Sequence, residues 1–239
     1  MKSTKRLVVH GFFLLILFAA LTYALTAIDV SVGGEFDTAI GLSSLNLPVF
    51  EKFTFDQQMF DISELLGKIV LLILPIAALC GLVQLIARRS FKKVDGALYK
   101  LVLFYVVVLG VYLLFDKVVV INNRPRFEDV PSYPSSHTLL AVCLLGTATF
   151  LATRSAKSGF LKGLINLLGN LLILAIAACR LMSGVHWATD ILASFLLGGA
   201  LNAWYMAAVN KMNNNRSIQQ AKTVTQSTTA KKTYVLKKI

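Results

Sequence analysis

Six apolar runs separated by polar segments dominate the chain, at about residues 7–27, 65–87, 98–115, 138–153, 163–182 and 191–209. A helix of roughly twenty apolar residues spans the ~30 Å hydrocarbon core of a bilayer. The pattern therefore predicts an all-α fold, a polytopic membrane protein whose six-helix bundle occupies residues 1–209. The first run follows Lys2, Lys5 and Arg6; it is longer than a signal-peptide core and no small-x-small site follows it, so it reads as a span. Pro75 predicts a kink in the second span, and Asn122-Asn123-Arg124-Pro125 forbids continuation of the third.

Two segments stand apart from the runs. Residues 28–64 carry acids, the Gly33-Gly34 pair and Phe50, Phe53, Phe55 and Phe60, and read as an extracytoplasmic segment packed over the bundle rather than a flap that gates it. Residues 210–239 are polar, basic and rich in Ser, Thr and Gln, which predicts a disordered cytoplasmic tail.

Composition agrees with the pattern. With 56% hydrophobic and 15% charged residues and a mean hydropathy of +0.69, the chain is too apolar for a soluble domain. The net charge of +12 matters through its placement. Eighteen of the 24 Lys and Arg fall at the N-terminus, in the loops after the second and fourth spans (with Lys100), and in the tail; of the twelve acids only Asp95 joins them. By the positive-inside tendency that side is cytoplasmic, which predicts a multi-pass protein of the plasma or inner membrane with both termini inside. The basic residues form neither a groove nor an aromatic-interleaved patch, so nucleic acid is not a predicted partner. Cys80, Cys143 and Cys179 lie inside apolar runs without CxxC spacing and read as small buried residues, neither disulfide nor zinc ligands. His10, inside the first run, reads as a packed or interfacial side chain.

Chemistry concentrates between Lys117 and Asp190. Lys117 is followed by Arg124-Pro125; then comes Pro134-Ser135-Ser136-His137; then Arg180, His186 and Asp190. On the charge-based topology all three clusters share the extracytoplasmic face. Lys117, Arg124 and Arg180 supply three positive charges, two of them able to grip phosphate oxygens bidentately. Pro134 suits a first helical turn, leaving the amides of Ser135, Ser136 and His137 at a helix N-terminus, itself an anion site. His186 and Asp190 are four apart, so on one helix face the carboxylate would hold the imidazole in one tautomer and leave its other nitrogen to attack phosphorus. His137 could then protonate the leaving oxygen and later activate water. No acid cluster has metal-ligand spacing, so neither metal nor cofactor is predicted. Trp187 and Tyr133 read as interfacial anchors, and Asn166 and Asn170 as makers of interhelical hydrogen bonds.

The three clusters resemble the signature of the type 2 phosphatidic acid phosphatases, which share a catalytic core with vanadium haloperoxidases. The family pattern is Lys-x6-Arg-Pro, Pro-Ser-Gly-His and Ser-Arg-x5-His-x3-Asp; here the text reads KVVVINNRP, PSSH and CRLMSGVHWATD. The resemblance implies that Lys117, Arg124 and Arg180 bind phosphate with Ser135 assisting, and that His186 is the nucleophile, Asp190 its orienting partner and His137 the general acid. Ser136 stands where the family has Gly, adding a side chain near the phosphate, and Cys179 stands where it has Ser. The resemblance implies a hydrolase acting on a lipid phosphomonoester or diphosphate of the undecaprenyl diphosphate, phosphatidate or phosphatidylglycerol phosphate type. A phosphotransferase using the same intermediate, a lipid A phosphatase and a non-catalytic lipid transporter stay open at this point.

Overall fold

The computed structural model describes residues 2–236, most of them helical. Its elements are α1 (Lys2–Ala27), a hairpin of β1 (Ser31–Gly33) and β2 (Thr38–Ile40), α2 (Ser43–Lys52), α3 (Gln57–Leu71), α4 (Ile73–Arg88), α5 (Gly96–Leu113), α6 (Ser136–Ser155), α7 (Gly159–Met182) and α8 (Ala188–Leu236). Six helices or helix pairs are long and apolar enough to cross a membrane. All-α architecture and the six-span count agree with the apolar pattern.

The second span is longer than the pattern predicts. It starts at Gln57, capped by the Asp56 carboxylate accepting the Met59 amide at 3.0 Å, and takes in Asp61 and Glu64 before its apolar stretch. α3 gives way to α4 at Leu72, three residues before Pro75. Pro75 has no N–H for the carbonyl of Leu71 and its ring crowds that carbonyl, so the interruption falls one turn ahead of the proline.

α6 and α8 form the centre, with α1 laid along α8 and α7 against α6. Their core includes Leu139, Cys143, Leu144, Ile176, Ala193, Leu197, Tyr205 and Val209. Without a hydrophobic drive between helices in lipid, contact comes from close packing, and glycines supply it here. Gly11 receives the Trp204 indole, Gly198 the Val142 side chain and Gly146 the Asn202 amide, each at a distance that leaves no room for a Cβ. Asn166 and Asn170 depart from the expected interhelical bonding: each amide donates to its own helix, at the carbonyls of Lys162 and Asn166. Of the cysteines, Cys143 is buried, Cys179 partly so, and Cys80 is exposed on the lipid-facing side of α4.

Residues 28–56 fold over one end of the bundle. The Glu35 amide donates to the Pro125 carbonyl at 2.8 Å, beside Gly34, whose φ of 85° and 3.0 Å clearance from that carbonyl admit no side chain. Arg126 pairs with Glu35, donates to the Phe53 carbonyl at 3.1 Å and lies over the Phe50 ring.

Helix α8 continues beyond the apolar run to Leu236, where composition predicts disorder; neither Gly nor Pro follows residue 199 to interrupt it. The last three residues of the expected tail lie outside those described.

Candidate active site

Three helix termini and one helix face meet beneath the 28–56 segment. α6 begins at Ser136 and carries His137 in its first turn, while α7 carries Arg180 in its last. The chain then reverses through Ser183-Gly184. Gly184 sits at φ 69°, and a Cβ there would come within 2.8 Å of the Phe53 carbonyl, so only glycine fits this turn. His186 lies in the turn, and α8 starts at Ala188 with Asp190 in its first turn.

His186 therefore precedes the helix, and the pair expected on one helix face forms through a helix cap. Asp190 Oδ2 accepts the Trp187 amide at 3.0 Å and lies 3.4 Å from His186 Nδ1; Oδ1 accepts from Asn122 Nδ2 at 3.3 Å. An acid in the first turn reaching back to the amide that precedes the helix is one half of a capping box. The same contacts fix its direction toward His186. With Nδ1 facing a carboxylate, the imidazole is best bonded as the Nδ1–H tautomer, which leaves Nε2 unprotonated.

Arg180 is fully buried, and its guanidinium joins the rest. Nη2 lies 3.3 Å from His186 Nε2, while Nη1 donates to Glu64 Oε1 at 2.9 Å and Ser63 Oγ at 3.2 Å. Glu64 Oε1 is also 3.2 Å from His137 Nε2. The two imidazoles are thus linked through one guanidinium and one carboxylate. Gly67, a turn beyond Glu64 on α3, lets the His137 ring approach: a Cβ there would stand 2.6 Å from His137 Cδ2.

Glu64 and Ser63 are missing from the three-cluster pattern, because they lie at the end of the polar segment 28–64, more than fifty residues before Lys117. The available signal was an acid abutting an apolar run, which is costly in a membrane unless paired.

Arg124 arrives on a loop pinned back on itself, with its amide donating to the Val130 carbonyl at 2.8 Å and the Ser132 amide to the Asn122 carbonyl at 2.9 Å. Its guanidinium lies over the Phe127 ring, its Nε is buried without a partner, and it lines a small recess with Tyr112, Asp116, Pro134 and Ser136. Burial pulls Arg124 below the usual guanidinium range, and the charges of Glu64 and Asp190 oppose that pull.

The remaining residues of the motifs divide. Lys117 is not gathered into the buried cluster: its side chain is 72% exposed and pairs with Asp116 at 2.9 Å. Ser135 is buried, but its amide is taken by the Asp190 carbonyl at 3.2 Å and its hydroxyl bonds that of Thr138, so the free amide expected there is already used. Ser136 faces the Arg124 recess. Cys179 leaves no gap, since the Ser183 hydroxyl donates to the Arg180 carbonyl at 3.0 Å. Trp187 and Tyr133 are not interfacial anchors; both are buried, Trp187 donating to the Asn123 carbonyl at 2.8 Å and Tyr133 bonding Thr22 at 2.7 Å.

His186 titrates well below the ordinary imidazole value, first because it is buried and then because Arg180, Arg124 and His137 oppose a second positive charge. It is neutral at physiological pH, the form in which Nε2 is a nucleophile. Among the described residues no group of three or more His, Cys, Asp or Glu is arranged to hold a metal ion. The arrangement sets a buried guanidinium and a second imidazole close to a carboxylate-backed imidazole.

The model of the PAP2 superfamily matches residues 115–214, which contain all three motifs. No curated protein matches the sequence. The fold is similar to that of a transmembrane PAP2-type phosphatidylglycerolphosphate phosphatase from Bacillus subtilis, at 18% identity over 85% of this chain and 96% of that one, with a TM-score of 0.58.

Proposed function

From the match of residues 115–214 to the PAP2 superfamily model and from the site geometry, we propose that the chain is a membrane lipid phosphatase of that superfamily, which transfers a phosphoryl group from lipid to His186 and then to water. The observation that carries the proposal is the position of His186, with a carboxylate behind Nδ1 and the Arg180 guanidinium 3.3 Å from Nε2.

In this mechanism Arg180 and Arg124 hold the non-bridging oxygens, where charge shifts as the transferring group flattens. Nε2 of His186 attacks phosphorus, and the electrons of the P–O bond leave with the lipid oxygen. His137 gives that oxygen a proton, and Asp190 stabilises the Nδ1–H of the charged phosphoimidazole. His137 then takes a proton from water, which attacks phosphorus, breaks the P–N bond, frees phosphate and returns the neutral imidazole. Ser136 and the first-turn amides of α6 support the oxygens from the recess. Lys117 acts from the rim. The two guanidiniums supply the countercharge that other phosphatases take from metal ions, so the reaction runs without metal.

A lipid-borne substrate is favoured because the pocket opens at the ends of spans whose outer surfaces are apolar, beneath a short covering segment. The excess of Lys and Arg at the opposite end supports an active site outside the cytoplasm with both termini inside. Within the family's range, the phosphatidylglycerolphosphate headgroup that the Bacillus protein's name specifies is one substrate to test, with phosphatidate and undecaprenyl diphosphate. The test is phosphate release from these lipids in detergent containing EDTA, comparing the parent with His186→Ala and Asp190→Asn. Release by the parent that both substitutions abolish is the expected result. Equal release by His186→Ala, or acceptor-dependent transfer without free phosphate, would overturn the reading.

A further inference from the structure

The two donors best placed to receive a phosphoryl oxygen are already occupied by an oxygen of the protein itself. Glu64 Oε1 bonds Arg180 Nη1 at 2.9 Å and His137 Nε2 at 3.2 Å. Arg180 is fully buried, whereas a third of the Glu64 side chain is exposed. A carboxylate oxygen and a phosphoryl oxygen are alike in charge and acceptor geometry, so they compete for the same N–H groups.

We infer that Glu64 is a specificity-determining residue of this site: its carboxylate occupies the phosphate cradle, and a phosphoryl group binds only by displacing it from Arg180 and His137. The inference rests on the phosphatase reading for its substrate, but not for its geometry. Three features support exchange over permanent attachment. The Glu64 side chain is a third exposed, so protein does not enclose it on every side and rotation of the side chain can carry the carboxylate out of the cradle. Arg180 keeps Ser63 Oγ at 3.2 Å and His186 Nε2 at 3.3 Å when the carboxylate leaves, so the guanidinium stays aimed. Left in place, the carboxylate would repel a phosphate dianion a few ångströms away in a poorly screened site.

The consequence is selective. A resident anion sets a threshold that weakly charged or poorly gripped ligands do not pass, while a phosphate that engages both Arg180 and Arg124 does. It also keeps a buried guanidinium paired between turnovers.

The experiment measures binding of inorganic phosphate by calorimetry to the full chain in detergent, alongside KM for a phosphate-releasing lipid, in the parent, Glu64→Gln and Glu64→Asp. Glu64→Gln keeps the size and removes the charge; it is expected to bind phosphate about tenfold more tightly and to lower KM in step, a change of one decade in the equilibrium constant. Glu64→Asp retains the charge and is expected to stay near the parent. Weaker phosphate binding in Glu64→Gln, or equal loss in both variants, would show that Glu64 supports Arg180 and His137 and would overturn the inference. Absence of phosphate binding in the parent would overturn it as well. Absence of lipid hydrolysis with tighter phosphate binding in Glu64→Gln would overturn the phosphatase reading alone.

Discussion

Asn46 on α2 and Thr189 in the first turn of α8 clasp each other in the buried interior. Asn46 Nδ2 donates to Thr189 Oγ1 at 3.1 Å, and the Thr189 amide donates to Asn46 Oδ1 at 3.3 Å. The covering segment is thereby tied to the residue beside Asp190. Asn46→Leu leaves the Thr189 groups buried without partners, a loss of about 1–3 kcal/mol. A lower melting temperature with reduced phosphate release is expected, and an unchanged thermal transition would refute the link.

On the proposed mechanism, Asp190→Asn removes the charge that stabilises the phosphoimidazole while preserving size. Because one oxygen also caps α8, the fold should survive with reduced stability, and kcat should fall about a thousandfold or more. Steady-state phosphate release, compared with near-unchanged far-ultraviolet circular dichroism, checks this.

The acidic limb of kcat/KM follows His186. Protonation of Nε2 stops attack, and burial together with Arg180, Arg124 and His137 lowers the imidazole well below 6.5. Activity should therefore persist as pH falls through 6.5 and decline only below it, once ionisation of the substrate is allowed for. Arg124→Gln removes one opposing charge, so the limb should move to higher pH. A parent limb at or above 6.5 would contradict the burial argument.

Lys117 and Arg180 should separate sharply. Lys117 is exposed and paired with Asp116, so Lys117→Ala is expected to raise KM by about tenfold or less, in keeping with a screened rim charge. Arg180→Ala leaves buried groups without their partner and should remove about 3–5 kcal/mol of stability as well as activity. Comparable modest effects at both positions would be inconsistent with the geometry.

Gly67→Ala places a methyl group against the His137 ring, 2.6 Å from Cδ2. Displacing His137, the proposed general acid and one donor of the phosphate cradle, by a fraction of an ångström to an ångström should lower kcat by about 10- to 100-fold and weaken phosphate binding as well. Tighter or looser phosphate binding at unchanged kcat would argue that the ring has room to yield.

Much of the molecule was legible in the linear pattern, for a physical reason. A bilayer demands that backbone polar groups be satisfied within each segment, so apolar length alone announces the helices, and their number follows. Part of the candidate site was legible because residues four apart, or at either end of a turn, are brought together by local backbone geometry: His186 with Asp190, and Pro134 with Ser136 and His137 at a helix start. Boundaries were less legible where polar residues extend a helix, as at Gln57, because amphipathic first turns resemble loops.

What the sequence by itself determined was therefore the all-α membrane class, the six spans and the local spacing of His186 and Asp190. Only tertiary structure decided that Glu64, more than a hundred residues from Arg180, would pair with it, that Lys117 would be exposed and paired with Asp116, and that Trp187 and Tyr133 would be buried. Those outcomes depend on how helices cross and which faces pack. Side-chain periodicity constrains that packing weakly in a membrane, where lipid and protein interior are similarly apolar.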